Sequence, residues 1–120
     1  MKAAVRLFNE GQFLASHELF EELWEASHGP SSDCFKGLIQ AAIALHHFQD
    51  GKLDGARKLY AGHRRYLAAY LPNHRGLDLA GFLDEMQTTF RPLMRAAPDA
   101  PVAFERGPTL HFVPEEAQPS

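Results

Sequence analysis

The stretch His17-Glu18-Leu19-Phe20-Glu21-Glu22-Leu23-Trp24 decides the reading of this chain. At about 100° per residue, His17, Glu21 and Trp24 fall on one side of a helix, with Phe13 and Phe20. A helix that turns an imidazole and a carboxylate toward its apolar side must give them partners, because an unpaired buried polar group is costly. His46-His47 follow twenty-two residues after Trp24, on a second apolar-periodic stretch that also carries Gln40. Gln40 and His47 are seven residues apart, or about two helical turns, so one helix face offers both.

The same 3.6-residue period predicts further helices. A short one spans 2–9, with Ala4, Val5 and Phe8 inward. The first long helix spans 12–27 and is stopped by His28-Gly29-Pro30, with His28 placed to meet the helix dipole. Ser31, Ser32 and Asp33 are cap-type residues for a helix over 33–49, whose stripe is Leu38, Ile39, Ala42, Ile43 and His46. A helix over 52–71 turns Leu53, Ala56, Tyr60, His63, Leu67 and Tyr70 inward, and 72–76 is a loop. A last helix over 78–96 buries Leu79, Phe82, Leu83, Met86, Phe90 and Leu93, and Pro92 is expected to kink or end it. The expected fold is all-α, an antiparallel bundle of four to five helices over residues 1–97. Four prolines between Pro98 and Pro114 preclude a long helix in 98–120. Phe104, Leu110, Phe112 and Val113 make that stretch too apolar for a solvated tail. An extended segment packed across the bundle is expected, with its last residues frayed.

A weak internal repeat accompanies these helices. Asn9-Glu10-Gly11-Gln12-Phe13 and Gln49-Asp50-Gly51-Lys52-Leu53 stand forty residues apart, and Leu19-Phe20 and Leu59-Tyr60 keep the same offset. Each copy reads as a helix end, a glycine turn and a new helix, as in tetratricopeptide-like hairpin packing.

Composition bounds the function classes. The 120 residues suffice for one domain with a core. A net charge of −3 gives no global attraction to nucleic acid or to an anionic membrane. The helix carrying Arg57, Lys58, His63, Arg64, Arg65 and Tyr66 is locally basic, but reads as a solvated face rather than a nucleic-acid groove. There is no apolar run long enough to span a membrane and no signal-peptide pattern. One cysteine, Cys34, excludes an intramolecular disulfide and fits a reducing cytosol. It is expected to be an inert small residue. His74 and His111 fall in loops and are expected to be exposed.

The segments Phe13 to Trp24 and Phe35 to His47 resemble a bacterial and archaeal family, the domain of unknown function 309. The carrying residues are His17, Glu18, Glu21 and Trp24, then Gly37, Leu38, Ile39 and Gln40, then His46 and His47, then Gly55 and Ala56. The turn before Gly55, Gly51-Lys52-Leu53-Asp54, lacks the asparagine common there. The resemblance implies a compact all-helical fold. It also brings the family's occasional label of metal-dependent hydrolase.

Two functions compete. In the first, His17, Glu21 and His47 hold a divalent cation such as zinc, and Glu18 acts as general base beside Trp24, Gln40 and His46. Three protein ligands plus a water is the catalytic zinc arrangement. The pattern is neither H-E-x-x-H nor the paired Glu-x-x-His of di-iron bundles. In the second, the same His, Glu, Gln and Trp side chains form a structural network that fixes helix register. The protein is then a non-enzymatic binding module, a homodimer under this reading.

Overall fold

The computed structural model describes residues 1–27 and 29–114. The chain forms α1 (Lys2–Asn9), α2 (Phe13–Ala26), α3 (Ser32–Gln49), α4 (Leu53–Leu67), a 3-10 turn (Ala68–Tyr70), β1 (Asn73–His74), β2 (Leu77–Asp78) and α5 (Leu79–Arg95). The all-α expectation holds, and each predicted helix is present. Every residue named above as inward on α1 and α5 is buried.

The helices follow one another as antiparallel neighbours, with α3 packed against α2 on one side and against α4 on the other. The two glycine turns are built alike. Gly11 and Gly51 have φ of 82° and 75°, the left-handed conformation that glycine adopts without Cβ strain. Gly11 N–H donates to Phe8 O and Gln12 N–H to Leu7 O; Gly51 N–H donates to Phe48 O and Lys52 N–H to His47 O. Both are Schellman motifs, so the forty-residue repeat is a repeat of backbone geometry as well as of sequence.

The α3–α4 seam is close because glycines line it. A Cβ on Gly37 would stand 2.7 Å from Leu67 Cγ, and one on Gly55 would stand 3.2 Å from His47 Cδ2. On α4, the carbonyl oxygen of Gln40 occupies the space where a Gly62 Cβ would point.

Three features refine the sequence reading. Pro92 does not end α5, one of the two outcomes expected of it, and the helix runs on to Arg95. Pro92 and Thr88 are both exposed, so the Thr88 carbonyl that loses its helical donor is open to solvent. The stretch read as a loop over 72–76 contains a small antiparallel hairpin, pairing Asn73 with Asp78 and His74 with Leu77. Arg75 and Gly76 turn it with φ of 51° and 82°. Asp78 then caps α5, its carboxylate accepting from Gly81 N–H at 2.9 Å. Ser31 precedes α3 without capping it, because its hydroxyl pairs with His74 Nε2 at 2.9 Å.

The C-terminal segment is extended and packed, as its apolar residues require. Phe104 sits edge-on to both Phe13 and Phe48, with centroids 6.2 Å and 5.3 Å away, and so touches both helical hairpins. Asn9 bonds the backbone of buried Leu110 in both directions, Nδ2 to Leu110 O at 2.9 Å and Leu110 N–H to Oδ1 at 2.7 Å. Phe112 bridges Leu77 through its backbone while its ring stays exposed. The frayed end expected at the C-terminus lies outside the described residues.

Gly37→Ala tests the seam. Alanine gains roughly 1 kcal/mol over glycine in helix propensity. Leu67 is fully buried and cannot yield. The substitution is therefore expected to destabilise by about 1–3 kcal/mol, read as a lower urea midpoint with unchanged slope.

Candidate functional site

His17 and Glu21 meet as expected. They lie one turn apart on α2, with Nε2 and Oε2 separated by 3.2 Å. The pair straddles the surface, the His17 side chain 17% exposed and that of Glu21 47%. His17 Nδ1 is buried without a hydrogen-bond partner. Trp24 is 37% exposed, and its indole makes no hydrogen bond among the described residues. Trp24 therefore does not join the expected structural network through a hydrogen bond among the described residues.

His46 and His47 part company. Successive helix residues point about 100° apart, and α3 has a different neighbour on each side. His46 faces α2, sharing a small cleft of about 340 Å³ with Leu14, Ala15, Glu18 and Gln49. Its Nε2 stands 3.4 Å from Asp50 Oδ2. His47 faces α4, its ring seated on Gly55. The Nδ1 of His47 and the Oε1 of Gln40 are both buried without a hydrogen-bond partner.

This divergence decides how the cation set fits. Among the described residues, no three His, Cys, Asp or Glu side chains stand together so as to hold a metal ion. His17 and Glu21 are joined, but His47 is turned to the far side of α3, and Glu18 lines the His46 cleft instead. The residues present do not fit the implied metal.

A second cleft, of about 770 Å³, lies between α5 and the C-terminal segment. Phe48 and Phe104 contribute to its apolar side, and none of His17, Glu18, Glu21, Trp24, Gln40, His46 and His47 lines it. Glu85 on its edge is already engaged, accepting from Thr109 N–H at 3.3 Å.

The remaining titratable groups sort by burial. Burial pushes the Cys34 thiol up to about 11, which leaves it protonated and inert. His74 is half-buried and bonded to Ser31 rather than free in a loop, and its pKa is lowered by burial and by Arg75. His111 is exposed as expected, 2.6 Å from Thr109 Oγ1. The expected dipole contact of His28 lies outside the described residues. On α4, Arg57 pairs with Asp54 at 3.0 Å and Arg64 lies over the Tyr60 ring.

His63 is the residue whose importance the sequence understated. It lies on the apolar stripe of α4 and is completely buried. The rings of Tyr60 and Phe82 stand 5.2 Å and 6.4 Å from its own. Nδ1 donates to Tyr60 O, and Nε2 has no partner. Burial lowers its pKa from 6.5 to about 4, the Tyr60 carbonyl opposing the shift and Arg64 adding to it. Because the folded value lies below the unfolded one, the stability held by neutral His63 is complete above about pH 6.5 and is lost as pH falls toward 4. Between pH 7 and pH 5 this loss is about 2 kcal/mol. The urea midpoint should fall much more from pH 7 to pH 5 in the wild type than in His63→Leu, which cannot take up the proton.

Residues 1–59 match the family described as "Domain of unknown function (DUF309)". The chain is also similar to an "Uncharacterized protein" of Aquifex aeolicus (strain VF5), with 32% identity over 93 residues. That alignment covers 74% of this chain and 28% of the relative, so the chain spans little more than a quarter of that protein's length. The chain belongs to the DUF309 family.

Proposed function

We propose that this DUF309 chain is a non-enzymatic helical-hairpin module that binds a protein partner through the outer faces of its helices. In this reading the residues of the family motif serve packing. The observation that carries it is the His47 ring lying on Gly55: these two motif residues are each other's packing partners across the α3–α4 seam. Gly37 packs in the same seam against Leu67. A hydrolase built on His17, Glu21 and His47 would require His47 to leave that seam and cross to the α2 side of α3. The length of the Aquifex aeolicus relative is in keeping with a unit that is also used inside a longer chain.

The test is metal content and stability together, on protein purified without a histidine tag or chelator. The wild type is expected to carry far less than one equivalent of zinc, manganese or iron. His47→Ala is expected to lose about 1–3 kcal/mol of stability, because it opens a cavity beside Gly55. Near-stoichiometric metal that disappears in a folded, equally stable His47→Ala protein would overturn the reading.

A further inference from the structure

We propose that the partner is a second copy of this chain, docked about a two-fold axis parallel to α3 so that α2 of each copy lies against α4 of the other. This names the partner of the module proposed above and rests on that reading.

Charge is segregated along the chain. Between Arg6 and Lys36 there is no lysine or arginine, and there are six carboxylates: Glu10, Glu18, Glu21, Glu22, Glu25 and Asp33. Residues 52–75 reverse this, with Lys52, Arg57, Lys58, Arg64, Arg65 and Arg75 against Asp54 alone. The first block centres on α2 and the second on α4, on opposite flanks of α3. Glu18, Glu22, Glu25, Lys58 and Arg65 are exposed and make no ion pair among the described residues.

The repeat then aligns these charges. The Schellman turns that start α2 and α4 stand at the same end of the bundle, where Gln49 Nε2 reaches Gly11 O at 3.5 Å. Glu18 and Lys58 share the forty-residue offset, as do Glu25 and Arg65. The two carboxylates on α2 therefore stand at the same heights as the two cations on α4. Both pairs are exposed at equivalent positions of helices that run the same way, so they project from the same side of the α2-α3-α4 layer. Lys36, held over the Tyr66 ring at 4.9 Å, adds a cation at the α4 flank.

Closed symmetry allows two face-to-face arrangements of this layer about α3. An axis across the helices sets α2 on α2 and α4 on α4, like charge on like. An axis along α3 keeps every residue at its own height and exchanges the flanks, so that Glu18 meets Lys58 and Glu25 meets Arg65, twice over. Half-exposed Ile43 on the middle helix and exposed Leu14 on α2 supply apolar contact within the same face. Attraction between exposed charges is screened by salt, so the dimer should weaken as salt rises.

The experiment is light scattering on the full chain at low and high salt, with two double variants. Wild type should run at about 27 kDa at low salt, twice the 13.4 kDa of one chain, and shift toward the monomer at high salt. Glu18→Lys/Glu25→Lys and Lys58→Glu/Arg65→Glu should each be monomers with unchanged helix content by circular dichroism. An equimolar mixture of the two should recover the dimer, because each flank again meets its opposite. The quadruple variant carrying all four reversals should dimerise by itself, because it restores opposite charge only where α2 meets α4, and a monomeric quadruple variant would overturn the proposal. A monomeric wild type at low salt, double variants that stay dimeric, or a mixture that stays monomeric would each overturn it too. None of these results depends on metal content or on His47, so this failure and that of the module reading are separately visible.

Discussion

The close approach of α3 and α4 is the constraint from which the rest of the architecture follows. Glycine at 37, 55 and 62 removes the side chains that would hold the two backbones apart, and Leu67, His47 and Gln40 take the space. Once that seam is set, the direction of every α3 side chain is set with it. Ala44 and Leu45 are buried, His46 is left for the α2 side, and His47 is committed to α4. Because neighbouring residues on a helix diverge by about 100°, a histidine pair in sequence becomes two histidines with different duties in space.

How legible this was in the sequence depended on how local each feature is. Helix periodicity and glycine turns are local, and they placed α1 through α5 correctly, including the inward sets of α1 and α5. The hairpin at Asn73–Asp78 was not legible, because strands of two residues carry too little pattern to announce themselves. Whether Pro92 ends α5 was not legible, because a helix breaker is judged by its ring, while the outcome depends on whether the freed carbonyl can meet water. The His17–Glu21 pair was legible, since one-turn spacing is itself the contact. The destination of His47 was not, since it depends on which helix lies on which side of α3.

His63 shows the same limit from the other direction. Its place on the α4 stripe marked it as inward, but histidine also counted toward a basic face. The structure separates these roles: the imidazole is neutral and enclosed by Tyr60, Phe82 and neighbouring apolar side chains, while the cations of α4 occupy its other sides. A charge count taken along the helix cannot make that separation, because it ignores the angle at which each residue leaves the axis.

The C-terminal segment adds to what holds the hairpins together. Two hairpins joined through α3 share little surface beyond the helices that touch in sequence order. Phe104 adds a contact that is indifferent to that order, resting on Phe13 at the start of α2 and on Phe48 at the end of α3. Those two phenylalanines flank the two Schellman turns, so one ring braces both turns at the same end of the bundle. Gly107 permits it, since a Cβ there would stand 2.9 Å from the Phe13 ring. With the core side of the helical layer braced by α5 and this segment, the side carrying Glu18, Glu25, Lys58 and Arg65 is the one left open to solvent. The polarity of that face is thus a property of the assembled repeat, in which equal heights on α2 and α4 carry opposite charge.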